Sequence, residues 1–190
     1  MFSAEYLLTN LTLIDISPNE NSEGDQICKA SFFDLNHVLQ RGDYLGFPLI
    51  DFSFSRSRGT ISQIHGLNKV PALYNVGYSL GGDYKHKTAT KFTGSTLLSE
   101  FKFDFTGMSP NTFLLLNKRY YEIDKADICT LTFITNEILK DKKEKGYSFF
   151  KISLLDADYI KFHHIFNKVP GYYELDLFLS TEGKKNKVML

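Results

Sequence analysis

The sequence predicts an α+β domain, built mainly of antiparallel sheet with two or three short helices packed on one side. Three observations carry that expectation. Apolar and polar residues alternate at period two in several stretches, most clearly in Leu98 to Phe105, where Phe101, Phe103 and Phe105 alternate with Glu100, Lys102 and Asp104. Most of these stretches are rich in β-branched and aromatic residues and end in turn chemistry. Segments with helical spacing and a capping residue are few and short.

Taken in order, Tyr6 to Ile16 reads as a strand and Asn19 to Gln26 as a polar loop. Asp34 to Arg41 starts on a residue suited to N-capping and stops at Gly42, which predicts a helix. Strands follow at Leu49 to Ser55, Thr60 to His65, Ala72 to Ser79, Leu98 to Phe105, Thr112 to Leu116 and Ile128 to Thr135. Asn136 to Glu144 is expected to be a short helix, and Tyr147 to Leu154 a strand. Asp156 is placed to cap a last helix, Ala157 to Phe166, with Ile160, His163 and His164 at i, i+3 and i+4. Tyr172 to Leu179 closes the set of strands.

The alternating faces nominate Leu11, Leu13, Ile50, Phe52, Ile61, Phe101 and Phe103 for the core, then Leu115, Leu131, Phe133, Ile152, Leu154, Leu177 and Leu179. Without a dividing linker, residues 1–182 read as a single globular domain and 183–190 as a flexible tail. One internal echo stands out. Ser31 to Phe54 and Ser153 to Leu179 each run strand, capped short helix, strand, the order expected of two ferredoxin-like, split β-α-β units.

Composition narrows the function. The 190 residues balance 22 Lys and Arg against 22 Asp and Glu, so no global field draws the protein to nucleic acid or an anionic membrane. No apolar run approaches the roughly 20 residues that span a bilayer, and two widely spaced cysteines, Cys28 and Cys129, do not make a secreted disulfide scaffold. A cytoplasmic protein with buried thiols is expected. No zinc, calcium, phosphate-loop or dinucleotide fingerprint is present, and His163-His164 near Asp158 point about 100° apart on a helix, so no metal or cofactor is expected.

Two segments carry resemblances. Val76-Gly-Tyr-Ser-Leu-Gly-Gly82 resembles the nucleophile elbow of α/β-hydrolases over about seven residues; it implies Ser79 as nucleophile, with Asp124 or Asp127 and His163 or His164 downstream. The stretch from Phe33 to Gly66 resembles the amino-terminal half of CRISPR repeat-processing endoribonucleases of the RAMP class, over roughly a third of the chain. That resemblance implies metal-independent RNA cleavage, with His37 as base and Arg56 and Arg58 holding phosphate. The hydrolase elbow lacks an apolar helix after it, and the carboxy-terminal half lacks the glycine-rich loop of the RAMP class.

With no complete catalytic set, the favoured reading is a non-enzymatic binding protein that meets a protein partner through aromatic-rich loops. The 17 Phe and 11 Tyr exceed what one core needs. The candidate surfaces are Arg41 to Pro48 and Tyr74 to Lys91, with Tyr44, Phe47, Tyr74, Tyr78 and Tyr84 as anchors. Arg41, Arg56 and Arg58 supply a local basic patch for which nucleic acid is the alternative partner. Prominent asparagine, lysine and phenylalanine fit an AT-rich genome, as phages and mobile elements often have.

Overall fold

Most of the described residues lie in strands, and the reason is the period-two patterning of the sequence. The structure is a computed structural model that describes residues 5–20, 26–55, 66–81, 89–123, 125–140, 145–155, 158, 164–180 and 187–189. The described residues form thirteen strands: β1 (Glu5–Glu20), β2 (Gln26–Phe33), β3 (Leu39–Arg41), β4 (Tyr44–Gly46), β5 (Leu49–Ser55), β6 (Ala72–Gly81), β7 (Ala89–Glu100), β8 (Thr112–Ile123), β9 (Ala126–Lys140), β10 (Lys145–Leu155), β11 (Gly171–Glu174), β12 (Phe178–Ser180) and β13 (Lys187–Met189). Every pairing with a defined register is antiparallel.

The expected α+β class is therefore corrected to all-β, and with it the two ferredoxin-like units. Asp34 does not cap a helix: its carboxylate accepts the Asn36 N–H at 3.0 Å in a local turn, and the chain then enters the β3–β4 hairpin. Ile138 and Leu139 extend β9 instead of starting a helix. Of 156–166, the described residues are Asp158, a single helical residue, and 164–166, which turn. The windows at 34–41 and 136–140 lack a sustained apolar stripe, so strand pairing outcompetes a short helix there, while most of the helix expected at 157–166 lies outside the described residues. No helix among the described residues is long and apolar enough to cross a membrane.

Other boundaries moved less. The strands expected at 49–55, 72–79, 112–116, 128–135 and 147–154 all exist, most of them longer. β7 stops at Glu100, so Phe101, Phe103 and Phe105 lie beyond it; they keep an alternating pattern but are only half-buried. The expected strand at 60–65 and the core position Ile61 lie outside the described residues, and so does the side chain of Leu179. Of the stretch 183–190, residues 187–189 form β13, which pairs with β12.

The chain divides into two compact units. Unit 1 comprises residues 1–36, 49–102 and 138–147, and unit 2 comprises 37–48, 103–137 and 148–190.

In unit 1 the spatial order is β6-β1-β2-β5, with β7 added outside β6. Three sequential strands plus a fourth that returns beside the first make a Greek key. The inward faces enclose Leu11, Leu13, Phe32, Phe52 and Tyr74, all at most 2% exposed. Phe32 meets Phe52 and Tyr74 edge-on, at 5.8 and 6.4 Å between ring centres, an arrangement favoured by the ring quadrupoles. Thr12 Oγ1 is buried with no hydrogen-bond partner among the described residues.

In unit 2 the order is β11-β8-β9-β10, with the β3–β4 hairpin joined to β8. Its core gathers on Phe133, which stacks on Phe150 at 5.6 Å and takes Phe166 and Tyr173 edge-on. The core positions nominated from alternation, Leu115, Leu131, Phe133, Ile152 and Leu154, are buried here, as Leu11, Leu13 and Phe52 are in unit 1.

Candidate interaction surface

The residues singled out in the sequence fall into three groups. Arg56, Arg58, Tyr84, Asp124 and His163 lie outside the described residues. Tyr74, Tyr44 and Phe47 are committed to the fold. Tyr74 is fully buried, and its hydroxyl accepts the Lys69 N–H at 3.1 Å and donates to the Lys69 carbonyl at 2.8 Å. Burial raises its pKa above the ordinary tyrosine value, the hydrogen bond with Lys69 opposing. Tyr44 donates to the Phe47 carbonyl at 2.6 Å, and Phe47 N–H bonds to the Leu116 carbonyl at 2.9 Å, which docks β4 on β8. Arg41, Tyr78 and His37 remain near solvent. Arg41 pairs with Tyr44 in the β3–β4 ladder, His37 precedes β3 on an exposed turn, and Tyr78 is half-buried.

Ser79 does not stand at a strand-to-helix turn. It sits in the middle of β6, 6% exposed, between Glu5 of β1 and Lys91 of β7. Ser79 belongs to unit 1, and Asp127 and His164 belong to unit 2. Of the basic patch expected to hold nucleic acid, Arg41 belongs to unit 2, and in unit 1 Lys69 is ion-paired with Glu100 at 2.9 Å, a contact that lowers the Glu100 pKa. Among the described residues no three of His, Cys, Asp and Glu gather as a metal site would require.

Among the described residues of unit 2 there is one buried cation. Lys118 is 3% exposed, donates from Nζ to the Phe166 carbonyl at 3.2 Å and lies 5.1 Å from the Tyr120 ring centre. Burial lowers its pKa, because a desolvated ammonium is costly. The same burial pushes the Cys129 thiol up to about 11, so this cysteine is no nucleophile at neutral pH. The bulge at Leu116 shifts the alternation of β8 and turns Lys118 inward, which the alternation running through Leu115 in the sequence does not indicate.

Sequence reasoning missed several exposed apolar residues, among them Ile123 on β8 and Ile165, and a group on β1 and β7. Tyr6 stacks on Tyr78 at 5.3 Å, and beside it Leu7 is 64% exposed. On β7 the ladder slips, Leu73 facing Ser99 and Tyr74 facing Leu97, so Leu98 is the extra residue of a bulge. Consecutive Leu97 and Leu98 are both exposed, 40% and 45%. β7 pairs with β6 alone among the described strands, and Thr93 to Ser99 contains neither charge nor proline. Sheet edges are usually blunted by such residues. The Leu-Leu doublet breaking the alternation was the available signal.

No protein-family model, no curated protein and no solved structure matches this chain.

Proposed function

We propose that the chain is a non-enzymatic binding protein whose partner is another protein, engaged along the β7 edge of unit 1. The observation that carries this reading is the run Thr96 to Glu100, exposed throughout, on a strand that pairs with β6 alone among the described strands and holds Leu97 and Leu98. An extended segment of a partner gains main-chain hydrogen bonds by adding to such an edge, and side chains at alternate positions give selectivity. The stacked pair Tyr6–Tyr78 and exposed Leu7, on the strands next inward, supply rigid apolar area of the kind that anchors interfaces.

The test is affinity capture from a lysate of the source organism, with the partner identified and then titrated in purified form. The double substitution Leu97→Asp and Leu98→Asp should weaken that binding about a hundredfold, since both sites are solvent-facing and the fold itself should lose less than about 0.5 kcal/mol each. Unaltered affinity in the double variant, or capture of nothing above background, would contradict the reading.

A further inference from the structure

We infer that the chain is an internal duplication: two copies of one Greek-key module, each completed by a β-arm carried in the sequence of the other. This goes beyond the binding reading and does not depend on it. The evidence begins with Asn68-Lys-Val-Pro-x-x-Tyr74 and Asn167-Lys-Val-Pro-x-x-Tyr173, an identical pattern 99 residues on. Both tyrosines make the same clasp. Tyr173 accepts the Lys168 N–H at 3.0 Å and donates to the Lys168 carbonyl at 2.8 Å, as Tyr74 does to Lys69.

The strand ladders extend the match without any freedom to adjust it. Ala72 faces Leu13 in unit 1, and Gly171 faces Leu115 in unit 2. One residue further each central strand bulges, between Leu13 and Asp15 and between Leu115 and Asn117, leaving Ile14 and Leu116 as the extra residues. Across those bulges Phe32 matches Phe133, and Ile27-Cys28 falls on Ile128-Cys129. Both phenylalanines are completely buried. The order 4-1-2-3 of the strands is also the same, β6-β1-β2-β5 and β11-β8-β9-β10. Chance β-arches do not share fold order, bulge position and a three-atom side-chain clasp in one register.

The arms complete the correspondence. Beyond its bulge, β8 leaves β11 and pairs with β4, Asn117 facing Gly46; beyond its own bulge, β1 leaves β6 and pairs with β10, Asp15 facing Gly146. Both glycines have positive φ, +116° and +107°. A Cβ on Gly46 would strike the Leu116 carbonyl oxygen and come within 2.7 Å of Val169; one on Gly146 would strike the Ile14 carbonyl oxygen and come within 2.6 Å of Val70. Each arm thus fits the same socket, a bulge carbonyl plus the valine of the Lys-Val-Pro motif. Yet residues 37–48 interrupt the chain of unit 1 and belong to unit 2, while 138–147 interrupt unit 2 and belong to unit 1. Each copy is thus closed by an arm whose residues lie, in sequence, inside the other copy.

Hydrogen exchange followed by mass spectrometry on the full chain tests this. Gly46→Ala and Gly146→Ala should each speed exchange of protected amides at least about tenfold in the unit that the arm completes, by factors within threefold of each other, because each strikes the same socket. Gly107→Ala is the control for backbone strain without a clash, since its φ is +74° and an added Cβ would meet nothing within 4 Å, and it should speed those amides several-fold less than either arm variant. Where a glycine variant fails to fold, Tyr74→Phe and Tyr173→Phe serve as the matched pair under the same criterion. Effects differing more than threefold within a pair would overturn the inference.

Discussion

Phe133→Ala should cost about 4 kcal/mol, lowering the thermal midpoint by about 12 °C, at the upper end of what one core truncation does. Phe133 is completely buried, and three other rings, Phe150, Phe166 and Tyr173, touch it. Rigid aromatic neighbours on two sheet strands and a turn collapse poorly into the space, so most of the cavity remains and adds to the lost transfer energy. Urea denaturation of the purified variant measures this directly. A loss below about 1.5 kcal/mol would mean that the side chain is not at the centre of a packed core.

Tyr74→Phe should cost about 2 kcal/mol, despite removing one atom, because both the N–H and the carbonyl of Lys69 lose their only described hydroxyl partner. The clasp also sets an alkaline limit. Burial raises the pKa of Tyr74 and of Tyr173, so the folded state holds the phenolic proton more tightly than the unfolded chain. That contribution is complete below the ordinary tyrosine value of about 10 and is lost as pH rises through the raised values. Cys129, pushed up to about 11, acts in the same direction. Lys118 acts oppositely, its lowered pKa making the folded state less unfavourable as pH rises towards the ordinary lysine range. The thermal midpoint should therefore fall between pH 10 and 11, and less steeply in Tyr74→Phe than in the parent. An equal slope in both would show that Tyr74 does not carry that proton linkage.

Strands were legible wherever a face alternated. Leu11 and Leu13, or Leu131 and Phe133, announce buried positions at i and i+2 whatever the sheet they join, because the pleat alone dictates the period. The helix expected from Asp34 was misread because Asp34 is an equally good turn residue, and the choice between cap and turn is made by long-range pairing that a local window does not contain. β2 was obscured for a related reason: Ile27 to Phe33 includes Ser31 and Lys29, whose partner across the ladder region is Asp51, so its polar face reads as loop until the ion pair at 2.6 Å is seen. The duplication was in plain sight as Asn-Lys-Val-Pro. The echo drawn between 31–54 and 153–179 matched the wrong strands, since Ser31 corresponds to Thr132 once the ladders are aligned. Exposed anchors were the least legible. Tyr74 has the composition of a binding residue and the position of a core one, whereas Leu97 and Leu98 look like core and face solvent because of a bulge.

The central claim is that one module occurs twice, each copy closed by an arm at the same place. Cross-strand nuclear Overhauser contacts in the labelled full-length protein test it most directly. The account predicts backbone contacts between Gly46 and Asn117 and, in the same sample, between Gly146 and Asp15, with both glycines next to the bulge residues Leu116 and Ile14. Contacts for one pair and not for the other, or a helical contact pattern over 34–41, would contradict it.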